Sequence, residues 1–321
     1  MKSTLIALMA AALLCGPVLA QEYPSKPVRI LVPFAAGGTV DIAARHIGQA
    51  LSKKWDQPVV VENRPGGNGF IATSAAARAQ PDGYTLLMAH TGEFSVNPAI
   101  FSKVPYDLDR DFVAISLVSD TPLTLAVPAD SPIKTVADIV ERSRAEPGSI
   151  TFSTPGTGSY NHLAGEWFAS TAGIKLMHVP YRGGAPASAA VASGEVALGV
   201  LGVSAVNEYV KGGRIRVVAV MTPERLESQP EWPTVEESGV AGIDASNWVG
   251  LFAPKGTPAD IVKQLNEDVV AAVKTPELKA AFSAGGGSAV GTTSEAFTAR
   301  IKRELKLNKD IAANAGVRVE Q

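Results

Sequence analysis

The 321-residue chain carries 29 Lys and Arg against 31 Asp and Glu, so its formal net charge is only −2. A near-neutral chain without a basic run argues against nucleic-acid binding, and it leaves any selectivity for anions to local groups. The length, roughly 300 residues after a leader, is large for one hydrophobic core and predicts two lobes.

Residues 1–20 have the pattern of a signal peptide. Lys2 supplies the positive charge, an apolar run extends from Leu5 to Leu14, and small residues precede a cleavage site after Ala20. A lipid anchor on Cys15 is disfavoured because the preceding residue, Leu14, is not small. Cys15 is the single cysteine, so the mature chain would contain no disulfide, thiol or cysteine metal site. The chain is therefore predicted to be exported to the periplasm.

The first unit after the leader is predicted to be a strand, a glycine turn and a helix. Arg29–Val32 is a short apolar strand, and Ala35–Gly38 allows the backbone to turn. Thr39 is predicted as the N-cap of an amphipathic helix that reaches Leu51. A helix N-terminus at such a turn suits an anion such as a carboxylate. The alternative is an ordinary strand-to-helix connection.

Strand and helix patterns then alternate, which predicts an α/β fold with parallel-rich sheets flanked by helices. The predicted elements before residue 130 are strands at Pro58–Glu62, Tyr84–Met88 and Leu123–Pro128, a helix at Ile71–Ala79 and a polar loop at His90–Glu93.

A second copy of the opening unit follows about 120 residues later. The pattern predicts a strand at Ser149–Ser153, a glycine turn at Thr154–Gly158, an N-cap at Ser159 and a helix at Asn161–Ser170. The recurrence predicts two lobes, each presenting a helix N-terminus. An anion held between two such ends would be desolvated on both sides.

The remaining pattern completes the two lobes. Further strands are predicted at Lys175–Pro180, Val196–Val203, Ile215–Met221 and Trp248–Pro254, with helices at Ala259–Val273, after Thr275 and after Thr293. The helical tail is expected to cover the first lobe. We assign residues 21–124 plus 246–321 to lobe 1 and residues 125–245 to lobe 2.

Signatures of catalysis are weak. The segment from Gly202 to Val206 lacks the last glycine of a nucleophile elbow. His162 and Glu166 lie four residues apart, but without a second histidine this pair indicates a surface contact rather than a metal site. Asp41 would orient its loop rather than touch an anion. No cofactor, metal or catalytic residue is predicted.

The ordered set of motifs resembles the Bug family, the extracytoplasmic solute receptors of tripartite tricarboxylate transporters. The matching segments are Val32–Asp41, Val61–Gly67, Pro81–Leu86, Asn97–Pro98, His162–Glu166, His178–Gly183, Pro233–Glu237 and Gly250–Pro258. The resemblance implies a two-lobed periplasmic binding protein of the type II-like class, with a ligand cleft between the lobes.

The resemblance also implies which residues hold a carboxylate. The implied set comprises Phe34, Ala35, Gly37, Gly38 and Thr39, with Thr157, Gly158 and Ser159 opposite. The wider set of candidate ligand-binding residues adds Asp41, Thr91, Glu93, Ser153, Tyr160, His162, Tyr181 and Arg182. For Arg182, carboxylate recognition and simple solvation are both open.

Two residues depart from the family pattern. If Glu93 faces the cleft, it disfavours a second carboxylate and favours an amine, amide or hydroxyl on the ligand, and if it faces solvent it gives no information on the ligand. The bulky Tyr160 would narrow the cleft or stack on a ring.

The resulting hypothesis is a monomeric periplasmic receptor that closes about a hinge over a small carboxylate or related amide. Its partner would be a membrane transporter or a sensor domain. The alternative from another class is a secreted hydrolase that uses Ser159 or Ser204 with His162.

Overall fold

The structure is a computed structural model that describes residues 23–319. The predicted signal peptide and its cleavage site lie outside the described residues. Within residues 23–319, no helix is both long and apolar enough to cross a membrane.

The strands and helices alternate along the chain, as the sequence predicts. The strands are β1 (Val28–Val32), β2 (Val59–Asn63), β3 (Thr85–His90), β4 (Phe112–Pro128), β5 (Thr151–Thr154), β6 (Met177–Pro180), β7 (Leu198–Gly202), β8 (Ile215–Val220), β9 (Ser246–Pro254) and β10 (Ser288–Ala289). The helices are α1 (Thr39–Trp55), α2 (Phe70–Ala77), α3 (Asn97–Ile100), α4 (Leu108–Asp111), α5 (Val136–Ala145), α6 (Tyr160–Ala172), α7 (Gly184–Ala192), α8 (Val203–Lys211), α9 (Ala259–Val273), α10 (Pro276–Ala284) and α11 (Ser294–Ala315).

The strands form a curled sheet in the order β2-β1-β3-β9-β4-β7-β5-β6, with β8 and β10 also paired to β4. The outer strands pair in parallel, whereas β4 and β9 pair antiparallel at the centre. Strand β4 pairs with β9 up to Pro122 and with β7 and β8 from Leu123 onward. We call the part containing β1, β2, β3, β9 and β10 the first half-sheet and the part containing β5 to β8 the second half-sheet. The predicted α/β fold is confirmed, and the lobe boundaries stay a prediction.

Helix α1 shows why the opening unit folds locally. Ala43, Ala44, Ile47 and Leu51 recur on one face and are buried against β1 and its neighbours. The opposite face carries charge, which is the pattern of a helix on a sheet. This packing fixes the direction of the helix and therefore the place of its N-terminus.

The N-cap assignment of Thr39 is wrong by one residue. Thr39 is the first helical residue, and Gly38 occupies the N-cap position with no capping side chain. The side chain of Asp41 closes the turn instead, because its Oδ2 accepts a hydrogen bond from the N–H of Gly37 at 2.8 Å. A carboxylate in the first turn can reach back in this way, as in a capping box.

Two further local predictions are corrected. The segment after His90 is a helical turn, Gly92–Val96, rather than a loop, and it runs directly into α3. Pro122 does not begin a separate strand, because β4 continues through it. Pro122 lies where β4 changes partners, a position that tolerates the missing N–H.

Helix α11 covers more than the first lobe. Phe297 and Ile301 pack into the core of the first half-sheet. Ile311 and Ala312, near the end of the same helix, belong to the core beneath the second half-sheet. The helix therefore spans both halves of the molecule.

Candidate functional site

A cleft of about 600 Å³ lies between the two half-sheets. From the first half it is lined by Phe34, Thr39, Asn68, His90, Gly92, Glu93, Asn97 and Phe101, and from the strands at the centre by Thr121, Asn247, Trp248 and Val249. From the second half it is lined by the segment Pro155–Asn161 together with Gly184, Gly202, Ser204 and Ala205, and Val319 completes the wall.

Four helix N-termini meet at this cleft. They belong to α1, α6, α7 and α8, whose first turns or N-cap residues include Thr39, Tyr160, Gly184 and Gly202. The first N–H groups of a helix have no partner within it and carry the positive end of the dipole. None of the described lining residues is a lysine or an arginine. The cleft therefore offers an anion backbone donors in place of lysine or arginine side chains.

Asp41 holds the β1–α1 turn in shape from behind. It is buried, and besides Gly37 it accepts hydrogen bonds from Arg45 Nε at 2.9 Å and Asn63 Nδ2 at 2.8 Å. Asn63 also donates to the carbonyl oxygen of Phe34. Burial raises the pKa of Asp41, but these bonds outweigh burial and leave the pKa below its ordinary value. Asp41 itself does not line the cleft.

The β5–α6 turn is held by hydrogen bonds of its own. Ser159 is the N-cap, as predicted: its Oγ accepts from the N–H of His162 and donates to the Gly156 carbonyl oxygen at 2.7 Å. Gly158 has φ +74°, and a Cβ there would lie 2.7 Å from Cδ1 of Ile100 in α3. Only glycine suits this conformation and this close approach.

Two stacked histidines support the same turn. The rings of His162 and His178 lie 3.7 Å apart, and Thr154 Oγ1 is 2.7 Å from His178 Nε2. Burial lowers the pKa of each ring to about 4, so both are neutral at neutral pH. His162 Nδ1 accepts the N–H of Gly158 at 3.3 Å. The pair shapes the turn and does not line the cleft.

These bonds bear on the hydrolase alternative. A general base must reach the hydroxyl of its nucleophile by a hydrogen bond. Within residues 23–319, no hydrogen bond joins the ring of His162 to the hydroxyl of Ser159 or Ser204. The Ser159 hydroxyl is already engaged as a helix cap.

Glu93 lies against the cleft, but its carboxylate has no solvent exposure. Its Oε2 accepts from the backbone N–H of His90 at 2.9 Å and lies 2.7 Å from His90 Nδ1. Burial alone would lower the pKa of His90, whereas the Glu93 carboxylate raises it above its ordinary value. The charge of Glu93 is thus turned toward His90 rather than presented to a ligand.

Several predicted site residues lie outside the cleft lining and are bonded to structural partners. Thr91 Oγ1 accepts the backbone N–H of Trp248, and Ser153 Oγ donates to the Ala187 carbonyl oxygen. The Tyr181 hydroxyl donates to Glu195 at 2.7 Å, and burial together with this bond raises the pKa of Tyr181 to about 12.

The structure brings together seven of the predicted residues in the cleft lining: Phe34, Thr39, Glu93, Thr157, Gly158, Ser159 and Tyr160. The others lie outside the lining: Ala35, Gly37, Gly38, Asp41, Thr91, Ser153, His162, Tyr181 and Arg182. Tyr160 is buried and forms part of the wall, and burial raises its pKa well above the ordinary value.

The sequence reasoning missed four asparagines, one histidine and one threonine of the lining. The missed polar lining residues are Asn68, His90, Asn97, Thr121, Asn161 and Asn247. Asn247 Nδ2 donates to Asn161 Oδ1 at 3.2 Å, which links β9 to α6 beside the cleft. The spacing of His90 and Glu93, three residues apart after a buried strand, was the available signal for their pairing.

Comparisons with known proteins agree with this architecture. The model of the family described as "Tripartite tricarboxylate transporter family receptor" matches residues 43–317. The protein BugT of Bordetella pertussis is 32% identical over 97% of this chain and 96% of its own length.

Two solved structures are similar over nearly the whole chain. Rpa4515 of R. palustris, solved with adipate, is 31% identical, with a TM-score of 0.82 and coverage of 94% of this chain and 100% of that one. The periplasmic binding protein BugD is 31% identical, with a TM-score of 0.76 and coverage of 93% and 100%.

Proposed function

This chain belongs to the tripartite tricarboxylate transporter receptor family, and from that premise we propose that it captures a small carboxylate in the periplasm and delivers it to a membrane transporter of the tripartite type. The observation that carries the proposal is the meeting of four helix N-termini at one cleft whose described lining contains no lysine or arginine. The adipate in the similar structure Rpa4515 supports a carboxylate as the ligand.

The energetics suit a reversible receptor. A helix N-terminus contributes typically 0.3–1 kcal/mol to a bound anion, and up to about 2 kcal/mol in a partly buried geometry. Several helix N-termini, together with hydrogen bonds from N–H groups to the charged carboxylate, can bind the ligand while still allowing its release to the transporter. Two arginine side chains in the cleft would be hydrated in the open form. Enclosing the ligand would remove that hydration, which costs free energy.

Closure about a hinge would complete the site. The turns that start α1 and α6 come from opposite half-sheets, so each supplies part of the wall of one cleft. We place the hinge where β4 and β9 run between the halves, with residues 21–124 plus 246–321 as lobe 1 and residues 125–245 as lobe 2. A ligand that contacts both lobes binds the closed form better, and this differential affinity drives closure.

Delivery requires export, and we propose that residues 1–20 are removed after Ala20 to give a periplasmic product. The similar structure BugD is that of a periplasmic binding protein. A sensor domain is the alternative partner. Uptake of the ligand in a deletion strain separates the two: lost uptake supports a transporter, whereas normal uptake with a lost transcriptional response supports a sensor.

The binding itself is tested with the mature protein from Gln21, unfolded and refolded to remove carried-over ligand. Thermal unfolding is followed with adipate, hexanoate, succinate, butanoate, acidic amino acids and the corresponding amides. A ligand at about 100 times its dissociation constant stabilises the folded protein by about 2.7 kcal/mol. Stabilisation by carboxylates is expected, and stabilisation by none of them would refute the proposal.

The same preparation tests the hydrolase alternative. Hydrolysis of a p-nitrophenyl ester that is abolished in both Ser159→Ala and His162→Ala would overturn the receptor proposal. We expect no turnover above background, because the hydroxyl and the ring are already committed to the helix cap and to Gly158.

A further inference from the structure

We propose that His90, held in place by Glu93, binds the second carboxylate of the ligand, so that the cleft prefers a dicarboxylate to a monocarboxylate of the same length. This inference rests on the proposed function, since it assumes that a first carboxylate is held at the helix N-termini. It reverses the expectation that Glu93 disfavours a second carboxylate.

The geometry leaves one nitrogen of His90 available to a ligand. The ring lines the cleft and its side chain is 31% exposed. Nδ1 lies 2.7 Å from Glu93 Oε2 and 3.0 Å from the backbone nitrogen of Gly92, whereas Nε2 has no hydrogen-bond partner among residues 23–319. A carboxylate that holds one imidazole nitrogen orients the ring and decides what the other nitrogen can do.

Two glycines make room for this pair. A Cβ on Gly92 would lie 2.3 Å from Cε1 of His90, and a Cβ on Gly69 would lie 2.3 Å from Oε1 of Glu93. Gly69 also has φ +86°, a backbone conformation that suits glycine. The helical turn and the loop before α2 are therefore both shaped around the His90–Glu93 pair.

The charge of Glu93 requires a partner. Its carboxylate is completely buried, and a buried charge is stable only when it is paired and hydrogen bonded. His90 is the lining residue that can neutralise it. When the pair holds one proton between Glu93 and Nδ1 and another on Nε2, the pair is neutral and Nε2–H is a donor that faces the cleft.

The charged groups around the ring do not compete for that donor. The Tyr106 hydroxyl donates to the backbone oxygen of Glu93 and not to its carboxylate. The ring of Phe34 lies 4.6 Å from the ring of His90, and the Asp41 carboxylate, which shares the Asn63 donor with the Phe34 carbonyl oxygen, is already paired with Arg45. The Nε2–H group is thus left for an acceptor on the ligand.

The position of His90 favours the second carboxylate rather than the first. His90 ends β3, and it belongs to neither of the two strand–helix turns that present N–H groups. A ligand held by those turns has a free end within the cleft. Among the described lining residues, His90 is the side chain able to offer that end a cationic or strongly polarised donor.

The test compares adipate with hexanoate by isothermal titration calorimetry at pH 7, in the mature protein and its variants. The wild-type protein is expected to bind adipate at least tenfold more tightly than hexanoate. His90→Gln is expected to lose most of that preference while hexanoate affinity changes less than threefold. Glu93→Gln is expected to reduce the preference in the same direction, since Glu93 positions the ring without touching the ligand.

Two controls keep the result interpretable. His46→Gln removes a histidine that packs on Phe282, away from the cleft, and should leave both affinities unchanged. If His90→Gln unfolds because Glu93 is left unpaired, the double variant His90→Gln/Glu93→Gln replaces the ion pair by two amides and still lacks the imidazole.

Each outcome decides a different point. An unchanged preference in the folded His90 variants, or an equal loss of affinity for both probes, would overturn the role of His90 while leaving the receptor intact. Failure of the wild-type protein to bind either probe or any other carboxylate of the panel would instead overturn the proposed function and this inference with it.

Discussion

Replacing Asp41 by Asn tests whether the shape of the β1–α1 turn is set from behind the cleft. The substitution keeps the size of the side chain but exchanges one acceptor oxygen for an NH₂ donor. That donor must face either Gly37 and Arg45, which donate to Oδ2, or Asn63, which donates to Oδ1. Either Asn63 loses its acceptor, or Gly37 and Arg45 both lose theirs.

The expected loss of stability follows from these bonds. A hydrogen bond to a charged group contributes about 1.5–3 kcal/mol, whereas the ion pair to the half-exposed Arg45 contributes about 1 kcal/mol or less. We expect Asp41→Asn to lower the free energy of unfolding by about 2–3 kcal/mol. Release of the Gly37 N–H should also weaken adipate binding about tenfold or more, which corresponds to about 1.4 kcal/mol.

Urea unfolding and calorimetric titration with adipate measure the two effects. Arg45→Gln is the matched control, because it removes the exposed partner and leaves the bonds from Gly37 and Asn63. The wild-type protein should also lose stability in acid, since the pKa of Asp41 is lowered on folding. Such a contribution is complete above the unfolded pKa of an aspartate and disappears as the pH falls through the folded pKa. Unchanged stability and affinity in Asp41→Asn would refute the reasoning.

Three other predictions concern the two turns and His90. Gly38→Val should weaken adipate binding more than it destabilises the fold, since Gly38 has an ordinary φ of −81° and a Cβ there meets nothing closer than 3.6 Å; equal affinity by calorimetry would place the first turn outside the site. Gly158→Ala should lower the free energy of unfolding by about 1–3 kcal/mol, because Gly158 has a positive φ and a Cβ there would collide with Ile100. An unchanged free energy in urea unfolding would contradict the close approach of Gly158 to Ile100. The affinity for adipate should fall as the pH rises through the pKa of His90, which Glu93 raises. In His90→Gln the affinity should not depend on pH above pH 6. The same pH dependence in that variant would exclude His90 as the cause.

The parts of the site that sequence alone predicted are those set by neighbours in the chain. The amphipathic period placed α1 and α6, and the hydroxyl before α6 gave the cap at Ser159. The orienting role of Asp41 could be inferred from its charge, because a carboxylate repels a bound anion. The third partner, Asn63, could not, because it reaches the turn only through the parallel register that pairs Val32 with Asn63.

The parts that failed depend on contacts between distant segments. Pro122 marks the start of a separate strand in the sequence pattern until β9 and β7 are known to pair with β4 on either side of it. The orientation of Glu93 stays open in the sequence until the glycines at positions 69 and 92 are seen to leave room for its bond to His90. The change of partners at Pro122 and the room left by the two glycines have no local pattern from which they could be predicted, whereas the spacing of His90 and Glu93 was a signal for their pairing.

The crossing strands favour bending over sliding as the motion that opens the cleft. Arg300 of α11 donates to Asp120 of β4 at 2.7 Å and to Ser246 of β9 at 2.8 Å, and it is also paired with Glu304. Glu304 in turn accepts from the indole N–H of Trp248 at 2.6 Å. Because a sliding motion would break these bonds together and leave mostly buried charges unpaired, β4 and β9 are expected to keep their register. If the proposed hinge motion occurs, we expect it beyond the cluster, at Leu123 and Ala245, where β4 passes to its second set of partners.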